Sequence, residues 1–213
     1  VIFCVSVLLL PIMYQRSEEN APTEPLAATR GRKPLVFYGG AIILIAFLAE
    51  QATEAWSALH LERGLGASAA QGALGPAILG LTMGVGRLSG QFITGYMRET
   101  VVLQIAAVIS AVGIVIAAFA QSVATAYLGF AIMGLGVSVI APMAYSAVGK
   151  RVSDHERIQI ITRISVIGYL GFFVGPPLMG GLSQAFGLAV SFSTIGLILM
   201  IVSIFLAPGL RKN

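Results

Sequence analysis

Residues 100–149 read TVVLQIAAVISAVGIVIAAFAQSVATAYLGFAIMGLGVSVIAPMAYSAVG, a stretch without a single Asp, Glu, Lys or Arg. It divides at Gln121 into apolar runs at 100–120 and 122–147. At ~1.5 Å per residue, either run as a helix reaches across a hydrocarbon layer of ~30 Å. Neither shows the period-two alternation of a lipid-facing strand, and in lipid each segment has to satisfy its own backbone, so helices are expected and a barrel is not.

Four more apolar runs flank these two, at 34–58, 70–95, 159–183 and 186–207. Charged residues make up 10% of the 213-residue chain and AVILMFWYC 57%, with a mean hydropathy of +0.90. Soluble domains carry roughly a quarter of their residues charged, so the expected fold class is an all-α polytopic membrane helix bundle whose principal partner is the lipid bilayer. The formal net charge of +4 comes from basic residues scattered between apolar runs, so no nucleic-acid partner is expected. Cys4 is the only cysteine, which excludes an internal disulfide and a cysteine-based metal cluster.

Residues 1–13 (VIFCVSVLLLPIM) are apolar but span only ~20 Å as a helix, and read as the end of a truncated transmembrane helix. Residues 14–33 form the only long polar stretch, with the Pro, Glu and Arg content of an exposed linker. A six-span bundle at 34–207 and a tail at 208–213 follow. If the linker is cytoplasmic, twelve of the thirteen Lys and Arg residues fall on that side and only Arg63 falls outside. This positive-inside pattern requires six spans and puts the C-terminus in the cytoplasm, with the chain in the cytoplasmic (inner or plasma) membrane. Gly80-x-x-x-Gly84 and Gly86-x-x-x-Gly90 in the second span are expected to let helices approach closely, and the same smooth faces would permit sliding.

The fifth span carries Gly168, Gly171, Gly175, Pro176, Pro177, Gly180 and Gly181 in GYLGFFVGPPLMGG. This resembles the G-x-x-x-G-P-x-x-G-G pattern of the major facilitator superfamily, with one extra residue at the second proline. Gly86-Arg87-Leu88-Ser89-Gly90 is similar to the family's Gly-Asp-Arg loop motif, with Gln91 and a lone Arg98 as departures. The long linker between an incomplete helix and six complete ones resembles the join between the two halves of such proteins. The resemblance implies a C-terminal half made of two inverted three-helix repeats, and a missing N-terminal six-helix half of the same protein. It also implies a substrate path near the midplane and rocking between inward-open and outward-open states.

Ionisable groups inside a membrane are costly and are functional candidates by default. Glu50 and Glu54 lie four apart on one face of the first span, Glu50 about 24 Å along from residue 34, between the midplane and the outer surface. Glu50 is the candidate for gaining and losing a proton or contacting substrate, with Gln51 as a neutral hydrogen-bonding neighbour. The alternative is that both glutamates face a solvated outer vestibule. Tyr145 and Tyr169 are candidates to offer hydroxyls to a polar substrate, or else pack in the core. Arg87 or Arg98 is expected to pair with Asp154 or Glu156 as a gate on the cytoplasmic side, Arg87 alternatively snorkelling to the headgroups.

No catalytic constellation, metal-ligand spacing or phosphate loop is present, so neither enzymatic activity nor a cofactor or metal is expected. The expected function is secondary-active transport of a small-molecule substrate, sugar-like or drug-like, with proton coupling as one form. The competing reading is a stand-alone half-length membrane protein, either a homodimeric carrier or a scaffold without transport of its own.

Overall fold

The computed structural model describes residues 32–93 and 97–212, all helix and short connections, with no strand among them. The expected truncated helix at 1–13 and most of the linker lie outside the described residues. Helix α1 (Lys33–Leu59) runs on through a π-helical turn, His60–Gly64. It is followed by α2 (Ala69–Ile93), α3 (Glu99–Ala118), α4 (Val123–Gly149) and α5 (Asp154–Phe186). The last crossing consists of α6 (Leu188–Ile201), a second π turn (Val202–Leu206) and α7 (Ala207–Lys212).

Five of these crossings are both long and apolar enough to span a membrane: Lys33–Gly64, Glu99–Ala118, Val123–Gly149, Asp154–Phe186 and Leu188–Arg211. The sixth expected span is α2, a helix of 25 residues. It is long enough to cross, but Gln71, Arg87 and its glycines dilute its apolar character. The first span also ends later than its hydropathy suggests, at Gly64 instead of residue 58, because the π turn carries the helix past Trp56 and His60.

Local sequence explains the helix ends. Ser122 opens α4, its side chain accepting the Thr125 N–H at 3.2 Å. Ser153 and Glu156 open α5 as a capping box, the Glu156 carboxylate accepting from the Ser153 hydroxyl at 2.9 Å and its N–H at 3.4 Å. Gly187, at φ +81°, joins α5 to α6 in a conformation that side-chain-bearing residues rarely adopt. Within α5, Pro176 and Pro177 bring no N–H to the carbonyls four residues earlier, those of Phe172 and Phe173.

Two seams of small residues hold the bundle, as expected where lipid tails are as apolar as the side chains and close packing has to drive association. On α3 and α4, Gly113 and Gly129 lie against each other's backbone; a methyl at Gly129 would sit 2.7 Å from the Gly113 carbonyl oxygen. On α5, Gly168, Gly171 and Gly175 are buried against Ile43, Leu44, Leu48 and Ala52 of α1. The first three glycines of the glycine-proline run therefore make the α1–α5 contact.

At the far end of α1, His60 is 4% exposed. Its Nε2 is 2.9 Å from the Ala117 carbonyl at the end of α3, so Nε2 carries the hydrogen and donates. Phe130 of α4 and Phe192 of α6 meet the ring edge to face. One imidazole thus fastens the π turn of α1 to three other helices.

Candidate functional site

With the π turn included, α1 is 32 residues long, and Glu50 is close to its midpoint. The sequence reading puts Glu50 between the midplane and the outer surface, counted along a span ending at residue 58; in the structure it lies near the middle of the longer helix. Its Oε1 lies 3.6 Å from Nη2 of Arg87, which reaches across from α2. The Glu50 side chain is 17% exposed and that of Arg87 54% exposed. A guanidinium is charged at any working pH and is costly at this depth, and a carboxylate opposite it offsets part of that cost.

Glu54 follows one turn along the same face of α1. Glu50, Glu54 and Arg87, with Leu79, Gly80, Met83 and Gly84 of α2, line a pocket of about 220 Å³. The expectation that Gly80 and Gly84 pack against another helix is not met: a Cβ at either would meet no atom within 4 Å. Their bare backbone faces open space and leaves the α2 wall of the pocket without side chains. Gly86 does pack, against Leu135 and Ser138 of α4.

Phe47 of α1 stacks with Phe172 of α5 at 4.5 Å and with Tyr169 at 5.7 Å, the ring planes within 18° of parallel. Tyr169 is 53% exposed. Gln51 is half-buried beside Glu50. The Tyr145 hydroxyl shares a hydrogen bond of 3.0 Å with Ser165 Oγ, linking α4 to α5. Of the five pathway residues expected from sequence, Glu50 and Glu54 line one pocket; Gln51 and Tyr169 are not among its lining residues, and the hydroxyl of Tyr145 is engaged within the bundle.

The expected pairs between Arg87 or Arg98 and Asp154 or Glu156 are not among the ion pairs of the described residues. Arg87 points to α1, where it pairs with Glu50. Glu156 pairs with Arg32 at 3.3 Å, tying the start of α5 to the start of α1. Asp154 pairs with Arg157 at 3.1 Å, within one turn. Arg98 immediately precedes α3, where its carbonyl accepts from Val101 and Val102. Sequence reasoning missed Arg32 and also the Glu99–Lys150 pair, which joins the start of α3 to the end of α4. It also missed that Arg87 belongs with Glu50; the signal was there, in a cation well inside a span that already had a carboxylate on a neighbouring helix.

Residues 41–212 match the Major Facilitator Superfamily. An uncharacterised MFS-type transporter of Yersinia pestis is 32% identical over 168 residues, 79% of this chain and 44% of that protein. The membrane protein MosC of Rhizobium meliloti is 30% identical over 179 residues, 83% of this chain and 43% of MosC. An uncharacterised transporter of Sinorhizobium fredii is 25% identical over 177 residues, 83% of this chain and 46% of that protein. The chain thus spans less than half the length of these curated relatives. The membrane-length helices, the glycine-seamed bundle and the match over residues 41–212 agree: this integral membrane protein belongs to the major facilitator superfamily of transporters.

Proposed function

We propose that the chain is the C-terminal half of a secondary-active carrier that moves a small solute by alternating access, with Glu50 coupling transport to a proton. The observation that carries this reading is the Glu50–Arg87 pair at the midpoint of α1, on the wall of an open pocket. A charge pair at that depth costs more than an apolar pair would, and is kept in membrane proteins where solutes or protons pass. Protonation of Glu50 would release Arg87 and change what the pocket can hold, which is the differential interaction an alternating-access cycle needs. Gly80 and Gly84 leave room on the opposite wall.

Relatives of which the match covers less than half support a second half that closes the pocket from the open side. The orientation proposed is that of the basic residues, with both ends of the bundle in the cytoplasm of a cytoplasmic-membrane carrier. The Arg32–Glu156 and Glu99–Lys150 pairs, which tie helix ends on one side of the bundle, support this placement, with Arg63 at the other side.

Two measurements test the reading. In membrane vesicles carrying the full polypeptide and an imposed pH gradient, adding a transported solute is expected to move protons, read by an internal pH-sensitive dye. Solute movement without proton flux removes the coupling, and no movement of any solute in a broad panel removes the carrier. For the orientation, a cysteine at Arg63 is expected to react with a membrane-impermeant maleimide on intact cells, and one at Lys150 only after permeabilisation. The reverse pattern overturns it.

A further inference from the structure

We infer that the π turn ending α1 is an acid-released latch, closed while His60 is neutral and opened when its second ring nitrogen takes a proton. The latch works without Glu50 and is independent of the carrier reading. His60 Nε2 donates to the Ala117 carbonyl at 2.9 Å, which leaves Nδ1 as a bare acceptor. Among the described residues Nδ1 is the only buried side-chain nitrogen or oxygen without a hydrogen-bond partner. The ring is 4% exposed and meets Phe130 and Phe192 edge to face, with centroids 6.4 and 5.1 Å away. A neutral imidazole leaves one acceptor unmet in this cage, a modest cost. An imidazolium would bring a full charge and a second N–H with nothing to accept it, a far larger one.

The helices around the ring supply no counter-charge. Beyond Glu99, α3 contains no Asp, Glu, Lys or Arg, and α4 and α6 contain none at all. What they turn to the ring is Ala117, Phe130 and Phe192. Tyr127, one turn before Phe130, gives its hydroxyl to the Gln71 carbonyl. The α2 helix meets the turn at Gly72 and Gly75, which bear no side chain. On α1 itself, Glu54 lines the pocket toward α2, and Glu62 and Arg63 are exposed, the Glu62 carboxylate resting on Gly72.

The proton nevertheless has a short way in. Gly64, exposed and without a side chain, covers Nδ1: a Cβ there would stand 3.4 Å from it. Single π turns are rare and gather at functional sites. Once this one shifts and the ring meets water, the imidazole takes a proton in the ordinary histidine range, near pH 6.5. Only the open form binds that proton. The latch is therefore fully held above about pH 6.5 and weakens as the pH falls below it, each further unit of acid raising the open-to-closed ratio about tenfold.

Hydrogen–deuterium exchange of the full-length polypeptide in detergent, read by mass spectrometry and corrected for the intrinsic pH dependence of amide exchange, tests the latch. The amides of residues 60–66 are expected to lose protection about tenfold between pH 7.5 and 5.5, while those of residues 130–140 keep theirs. His60→Gln keeps a side-chain N–H for the Ala117 carbonyl but has no titrating nitrogen, so its protection at 60–66 should be the same at both pH values. Glu62→Gln, a change at an exposed position, should leave the tenfold loss in place. Wild-type protection that does not change with pH overturns the latch, whether or not His60→Gln folds. A loss that persists in His60→Gln, or one that disappears in Glu62→Gln, overturns His60 as the group that senses acid.

Discussion

Replacing Glu50 by glutamine is expected to abolish proton-driven accumulation while downhill exchange of solute continues. Glutamine keeps the shape and turns an amide oxygen toward Arg87, but it can neither carry the charge nor exchange the proton. The variant is therefore fixed in the neutral form, and its transport rate should lose its dependence on pH over the range in which a carboxylate titrates. The expected fall in accumulation is to the passive level, about 100-fold where a two-unit pH gradient drives one proton per solute. Breaking a fully buried ion pair costs about 3–5 kcal/mol, but Arg87 is half exposed and can turn toward water, so a loss of stability of only about 1–2 kcal/mol is expected. Glu50→Asp, which keeps the charge, should retain a pH-dependent rate. Accumulation by Glu50→Gln with the wild-type pH profile would remove Glu50 from coupling.

The second large effect concerns the fold. A side chain at Gly171 would run into the Leu44 carbonyl oxygen and lie 2.8 Å from the Leu48 backbone nitrogen, and one at Gly175 would lie 2.7 Å from the Leu48 carbonyl oxygen. These obstacles are backbone atoms, which no change of rotamer removes. Gly171→Leu should force α1 and α5 apart and cost about 3 kcal/mol or more, the upper end of overpacking penalties. The detergent-solubilised variant should melt well below wild type or fail to accumulate in the membrane. Gly181 belongs to the same run, but a Cβ there meets no atom within 4 Å, so Gly181→Ala should melt with wild type. Equal sensitivity at the two positions would mean that the run is not a packing seam.

These two positions also show what a sequence reader could and could not see. The helices were legible because apolar runs of membrane length leave few alternatives, and the glycine-proline run gave its contact helix a recognisable pattern. Helix ends were less so: whether α1 stops at residue 58 or continues through a π turn depends on His60 finding the Ala117 carbonyl, a contact 57 residues away. The candidate site was half legible. Glu50 and Glu54 stood out as carboxylates in an apolar run, whereas the partner of Arg87 depends on how far α2 is shifted along α1, which no local pattern encodes. Gly80 and Gly84 show the same limit from the other side, since a small-xxx-small pattern describes a smooth surface and not what lies against it.

The two prolines of α5 have a mechanical consequence. They leave two successive rungs out of the helix's hydrogen-bond ladder, directly after the segment that packs on α1. The roughly 22 residues before that weak point are clamped to α1 by the glycine seam and by the Arg32–Glu156 bridge, so a bend there moves the other arm, about 10 residues or some 15 Å of rod up to Phe186. A bend of about 10° swings that tip by roughly 3 Å, carrying Gly187 and the start of α6 with it while the α1–α5 contact stays closed.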